Sequence, residues 1–158
     1  MQTKNELLWT DDVNCFTDLE LIEEISSYIL DGGKLFIGAD SMLTAHGCRF
    51  VCAVALHNPE KRIATYYYKK ITSSSLEYRV LQNKILNEVA LSIEIAQLIV
   101  SKYPNANIEV HVDVGHTQKS KTRTFVEMVK GWVLGSGFKF KHKPDSWASS
   151  SIADLYTK

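Results

Sequence analysis

Three strand-like segments follow one another between residues 34 and 71, and only short polar links separate them. They are residues 34–41 (KLFIGADS), 49–57 (RFVCAVALH) and 62–71 (RIATYYYKKI). Each is rich in β-branched, aromatic or other apolar residues, which favours a strand over a helix. Links this short join antiparallel neighbours, so the sequence predicts a meander as the framework of the fold.

After the meander, helices and strands alternate. Apolar residues recur with helical spacing over residues 75–102, and residues 108–114 (IEVHVDV) form a fourth strand-like segment. A second core-packing helix over 122–134, a fifth strand over 138–143 (FKFKHK) and a short helix after Pro144 and Asp145 follow. Upstream, Thr17 and Glu20 have the spacing of a capping box and predict a helix that ends at residues 31–33, whereas residues 1–16 are polar and irregular.

This order of elements restricts the topology of the sheet. Crossovers between parallel strands are right-handed, which places strands four and five beside strand one and parallel to it. We therefore expect an α/β fold with a mixed five-stranded sheet in the order 3-2-1-4-5, helices on its faces and an extra N-terminal helix within residues 1–33. The sequence shows neither repeats nor a linker, so residues 1–158 are expected to form a single domain.

Composition excludes several classes of protein. The formal net charge is zero, which gives no global attraction to nucleic acid or anionic lipid. The longest apolar stretch falls short of a membrane span, and the first residues do not have the pattern of a secretory signal. Cys15, Cys48 and Cys52 lack metal-binding spacing. We expect a cytoplasmic protein without membrane attachment.

Two aspartates follow apolar runs at the ends of predicted strands. Asp40 closes the first strand and Asp113 closes the fourth. If these strands are parallel neighbours, the two carboxylates meet at the edge of the sheet where open α/β sheets place their sites. Two carboxylates that meet in this way repel each other, and a divalent cation relieves the repulsion.

Helix geometry suggests a third carboxylate. At 1.5 Å per residue, Glu88 lies about 21 Å above the end of the long helix, level with Asp113, whereas Glu77 overshoots at about 37 Å. Glu77 replaces Glu88 if the helix starts or tilts differently. Asp145, at the end of strand five, is the predicted fourth acid. Asp154 lies about 13 Å further along a helix and is expected to point away, although it remains the alternative to Asp145.

Basic residues cluster after the fourth strand. Residues 119–143 hold seven Lys or Arg and one acidic residue, Glu127. Lys119, Lys121 and Arg123 directly follow the predicted site and are candidates for binding phosphates, although such a segment also occurs as an ordinary solvated face. His116 is a candidate for proton transfer.

Several motifs together resemble a known family. FIGADS, YYYKK, NEVALSIEIA, HVDVG, KTR and the closing KPDSWASSSIADLYTK are similar to those of the YkuK-like family of bacterial ribonuclease H-like proteins. The resemblance runs from about residue 36 to residue 158. It implies the ribonuclease H-like fold and two Mg²⁺ or Mn²⁺ ions held by Asp40, Glu88, Asp113 and Asp145.

Two functions are compatible with these residues. The first is a divalent-metal-dependent nuclease that hydrolyses phosphodiester bonds by a two-metal mechanism, with RNA, DNA or a hybrid as substrate. The alternative is a non-catalytic ribonuclease H-like module that binds nucleic acid or a protein partner. The zero net charge favours the alternative slightly, and the oligomeric state is left open by the sequence.

Overall fold

The computed structural model describes residues 8–58, 63–114, 120–143 and 145–158. Within these ranges the chain forms seven strands: β1 (Trp9–Thr10), β2 (Cys15–Phe16), β3 (Lys34–Thr44), β4 (Gly47–Asn58), β5 (Ile63–Ser73), β6 (Asn107–His111) and β7 (Lys139–Lys141). The helices are α1 (Asp18–Glu24), α2 (Ser26–Leu30), α3 (Leu81–Lys102) and α4 (Ser120–Gly135). Short helical turns cover Leu76–Arg79, Ala148–Ile152 and Ala153–Tyr156.

All seven strands belong to one mixed sheet in the order β2-β1-β5-β4-β3-β6-β7. The pairs β3–β4 and β4–β5 are antiparallel, and β3–β6 and β6–β7 are parallel. The predicted α/β fold and the order 3-2-1-4-5 are therefore confirmed for the central five strands. The expectation of irregular structure is wrong for residues 9–16, because β1 and β2 form a short hairpin that pairs with the outer edge of β5, whereas residues 1–7 lie outside the described residues.

The predicted helices form with altered ends. Thr17 and Glu20 make both bonds of the capping box at the start of α1. The long helix begins at Leu81 instead of residue 75, because Val80 has extended backbone angles and separates α3 from the turn Leu76–Arg79. In the described ranges no helix is long and apolar enough to cross a membrane.

Alternation along the strands gives the sheet two different faces. Leu35, Ile37 and Ala39 of β3 point to the larger core, which also contains apolar residues of α3 and α4. Phe36 of β3 points to the opposite face and belongs to a smaller apolar cluster with Ala53 and other residues of β4 and β5. The three tyrosines of β5 divide between the two faces, since Tyr67 packs in the larger core and its two neighbours in the smaller cluster.

Residues 145–158, here called the C-terminal segment, cover the smaller cluster. Trp147, Ile152 and Tyr156 are part of that cluster. Tyr156 stacks on Tyr68 with ring centroids 3.6 Å apart. A Cβ atom added to Gly38 would lie 2.5 Å from the backbone nitrogen of Ser149, so the segment and β3 approach each other more closely than any side chain at residue 38 allows.

Candidate acidic site

Asp40 lies within β3, on the face of the sheet that carries the C-terminal segment. Gly38 is the last β3 residue paired with β6, opposite His111, whereas the pairing of β3 with β4 continues from Asp40 as far as Thr44. The prediction that Asp40 ends its strand is therefore wrong, because the β3–β4 hairpin continues beyond the parallel neighbour. Asp40 still occupies the level at which the sheet opens between β3 and β6.

Asp40 shares a hydrogen bond with Asp154 of the C-terminal segment. Burial, this hydrogen bond and the negative charges of Asp113 and Asp154 raise the pKa of Asp40 to about 7. Two carboxyl groups form a hydrogen bond only when one of them carries a proton. The Asp40 carboxyl therefore keeps its proton up to about pH 7, whereas a free aspartate releases it at about pH 4.

The contact corrects the expectation that Asp154 points away from the site. The estimate assumed one regular helix that starts at the site with Asp145. Instead, the segment crosses the sheet at the level of Gly38, next to Ser149. The five residues from Ser149 to Asp154 span about 7 Å along a helix, which is roughly the distance that β3 covers from Gly38 to Asp40. Asp145 is exposed at the beginning of the segment, where its backbone N–H donates to the carbonyl of His142.

Glu88 approaches from α3 on the opposite side of the sheet. Only 4% of its surface is exposed, so it is not a solvated helix residue, and Glu77 is exposed in the turn before α3. The Ser41 hydroxyl donates a hydrogen bond to Oε1 of Glu88. Burial raises the pKa of Glu88 to about 8 against the lowering effect of Ser41, and the charges of Asp40 and Asp113 add to the increase.

Asp113 follows β6 by two residues and is half-buried. Its Oδ1 lies 3.1 Å from Nζ of Lys143, and the two side chains form an ion pair. The same Oδ1 is buried and has no hydrogen-bond partner among the described residues. The ion pair with Lys143 therefore compensates the burial of this oxygen, and a hard cation is the alternative partner that would displace the ammonium group.

The donor chemistry of the four carboxyl groups fits a divalent cation such as Mg²⁺ or Mn²⁺, because both prefer oxygen ligands. Their arrangement is not that of a formed metal centre. In the part of the chain that the structure describes, no three His, Cys, Asp or Glu side chains form a group that could hold a metal ion. Glu88 accepts from Ser41 and Asp113 faces Lys143, so both carboxylates are engaged with groups of the protein.

The structure does not describe the side chains of the remaining predicted site residues. His116 and Lys119 lie outside the described residues. Lys121 and Arg123 fall in the first turns of α4, where the structure describes the backbone and not these side chains. Their assignment to phosphate binding therefore stays a prediction.

The sequence analysis missed a buried polar group that adjoins the acidic site. Glu109 and His111 of β6 are buried on the same face as Asp113, and Glu109 also pairs with Lys34 at 2.7 Å. The alternation in IEVHVDV contained the signal, because residues 109, 111 and 113 share one face of a strand.

The sheet order and the sequence agree on the class of protein. A sequence model described as ribonuclease H-like matches residues 19–158, and the chain belongs to this family. Within this family the chain is similar to "Uncharacterized protein YkuK" of Bacillus subtilis strain 168, with 28% identity over 148 residues, covering 84% of this chain and 81% of that protein.

Two solved ribonuclease H structures are also similar. The N-terminal RNase H domain of Rv2228c from Mycobacterium tuberculosis, solved as a fusion with maltose-binding protein, is 11% identical and has a TM-score of 0.35, with 79% of this chain and 94% of that chain covered. LC11-RNase H1, isolated from compost, is 18% identical with a TM-score of 0.35, covering 77% of this chain and 91% of that one. The family assignment rests on the match over residues 19–158 and not on these scores.

Proposed function

We propose that the protein is a divalent-metal-dependent nuclease that hydrolyses phosphodiester bonds in nucleic acid. The observation that carries this proposal is the convergence of charge from four separate elements. Asp40, Glu88, Asp113 and Asp154 interact electrostatically at one level of the sheet. A cluster of acids that raises the pKa of its own members is typical of functional sites, because it costs stability that folding alone does not require.

In this proposal Asp40 and Asp113 hold two Mg²⁺ or Mn²⁺ ions, and Glu88 and Asp154 each complete the ligands of one ion. Asp154 takes the place predicted for Asp145, since Asp154 is the residue in contact with Asp40. When bound, the ions supply a Lewis acid that activates a water and stabilises the leaving oxygen of the phosphodiester. Cation binding requires Asp40 and Glu88 to release their protons and Asp113 to part from Lys143.

Substrate binding is assigned to the basic residues that follow β6. Lys119 follows Asp113 by six residues in the sequence, and Lys121 and Arg123 fall in the first turns of α4. Contacts with phosphates position a nucleic acid without reading its sequence. We therefore expect binding to depend on ionic strength and little on base sequence.

The test is a cleavage assay with single-stranded, duplex and RNA–DNA hybrid substrates in the presence of Mn²⁺, Mg²⁺ or EDTA. Cleavage that requires the cation and is lost in Asp113→Asn supports the proposal. This variant keeps the shape of the side chain but removes a negative charge that a hard cation needs. Glu77→Gln, at an exposed carboxylate in the turn before α3, is the matched control and should cleave like the wild type.

Two results would contradict the proposal. Cleavage by Asp113→Asn at the wild-type rate would exclude Asp113 as a metal ligand. Binding of nucleic acid without cleavage of any substrate, whichever cation is present, would favour the non-catalytic binding module instead.

A further inference from the structure

His111 is a buried histidine whose two ring nitrogens are both engaged. Its Nδ1 lies 3.1 Å from the backbone nitrogen of Ala148, and its Nε2 lies 2.8 Å from Oε1 of Glu109. A backbone N–H can only donate, so Nδ1 accepts and carries no proton. The proton of the neutral ring is therefore on Nε2, which donates it to Glu109.

The surroundings of Glu109 hold the ring in this orientation. The second carboxylate oxygen of Glu109 pairs with Nζ of Lys34 at 2.7 Å. Phe36 and Trp147 pack against the imidazole with centroid distances of 5.5 and 5.3 Å. With 1% of its surface exposed, His111 has little freedom to turn its acceptor nitrogen away from Ala148.

The backbone bound by His111 belongs to the segment that carries Asp154. Ala148 begins the helical turn that leads to Asp154 six residues later. Gly38, the register partner of His111 on β3, contacts the same backbone at Ser149. Two adjacent residues of neighbouring strands thus fix the point from which the segment rises towards Asp40.

We propose that His111 is a positioning residue for the acidic site. Through Nδ1 it docks the backbone of Ala148, and so holds Asp154 against Asp40. The role in docking stands on the geometry of His111 itself. Its effect on cation binding rests on the proposed function of the four carboxylates.

Two substitutions separate the two hydrogen bonds of the ring. In His111→Asn the amide oxygen can take the place of Nδ1 and accept from Ala148, and the bond to Glu109 is lost. In His111→Gln the longer side chain reaches the place of Nε2 and can donate to Glu109, and the bond to Ala148 is lost. Both remove the aromatic ring, so loss of packing is common to the pair.

The first measurement is amide hydrogen exchange in the full, metal-free chain. We expect the amide of Ala148 to exchange about tenfold faster in His111→Gln than in His111→Asn, with a similar increase along the C-terminal segment. Equal exchange in both variants would overturn the docking role. If either variant fails to fold, the other is compared with the wild type, and retained protection in His111→Gln or lost protection in His111→Asn overturns the proposal.

The second measurement is the affinity for Mn²⁺ alone, by titration calorimetry. We expect His111→Gln to bind Mn²⁺ about 10-fold to 100-fold more weakly than His111→Asn. In an Asp154→Asn background this difference should vanish, because His111 acts through Asp154. A difference that persists there overturns the positioning role. A wild-type protein that binds no Mn²⁺ overturns the proposed function instead, and the exchange experiment alone then decides the role of His111.

Discussion

The Ser41 hydroxyl donates a hydrogen bond to Oε1 of Glu88 inside the protein, and this bond joins β3 to α3 across 47 residues of sequence. Ser41 follows Asp40 and points to the other face of the sheet. Two adjacent residues of β3 therefore each contact a carboxyl group, since Asp40 contacts Asp154 on one face and Ser41 contacts Glu88 on the other. Glu88 thus contacts the strand that carries Asp40 while its side chain stays buried between α3 and the sheet. The cost is a carboxyl group whose pKa is raised to about 8 by burial.

This cost should appear as a pH dependence of stability. Raised pKa values of about 7 for Asp40 and about 8 for Glu88 mean that the folded protein retains protons that the unfolded chain has already released. The free energy of unfolding should therefore fall as pH rises from about 5 to about 8, by about 1.4 kcal/mol per pH unit for each retained proton. Urea denaturation of the metal-free protein across this range measures the slope.

Glu88→Gln should flatten the dependence. The variant keeps an oxygen that accepts from Ser41 but cannot ionise, so its stability above pH 8 should equal or exceed that of the wild type. Glu94→Gln, at an exposed position of the same helix, is the control and should keep the wild-type slope. An unchanged slope in Glu88→Gln would mean that Glu88 is not the group that retains a proton.

The assignment of the fourth acid is tested by comparing two variants. Asp154→Asn should lower the affinity for Mn²⁺ by about tenfold or more, because it removes a carboxylate next to Asp40. Asp145→Asn should leave the affinity within about twofold of the wild type, since Asp145 is exposed at the start of the segment. The reverse ranking would restore Asp145 as the fourth acid.

The difference between these two aspartates shows where sequence reasoning reaches its limit. The order of the central strands followed from the spacing of apolar residues and the handedness of crossovers, which are local or general rules. The height of Glu88 on α3 was predicted from helix rise alone, and the structure adds that its side chain is buried.

The path of the C-terminal segment depends on contacts that no local pattern encodes. It is set by the close approach at Gly38 and by the stacking of Tyr156 on Tyr68, both between residues far apart in the sequence. The helical turns of the segment are also irregular, so the position of Asp154 does not follow from the rise of one regular helix. The same long-range packing brings Asp154 to Asp40, which the rise of a single helix from Asp145 did not predict.

The basic residues are expected to bind phosphates. Replacing Lys119, Lys121 and Arg123 together by Ala should weaken binding to every nucleic-acid sequence by a similar factor. The slope of log affinity against log salt should flatten by about three at most. The control replaces Lys102, Lys130 and Lys139 by Ala. These residues lie near the end of α3, near the end of α4 and at the start of β7, which are the ends of these elements away from the acidic site. Equal effects of the two triple variants would indicate general attraction and no phosphate site.

Gly38 should tolerate no side chain. Gly38→Ala places a Cβ 2.5 Å from the backbone nitrogen of Ser149 and should destabilise the protein by about 1–3 kcal/mol. Gly131→Ala, in α4, meets no atom within 4 Å and should be neutral or stabilising by up to about 1 kcal/mol. Thermal unfolding of both variants checks the pair. Equal stability of Gly38→Ala and the wild type would show that the segment can be displaced at no cost.

The hairpin of β1 and β2 has a consequence for behaviour in solution. It pairs with β5 at Tyr68 and Lys69, and Trp9 donates to Asp18, which also pairs with Lys69. The outermost strand on this side is thus only two residues long, and β7 on the other side has three. Strands this short offer few unpaired backbone groups to another molecule, and removing the hairpin would also expose the edge of β5 at Tyr68 and Lys69. A chain shortened in this way would be prone to self-association through that strand, even with its acidic site intact.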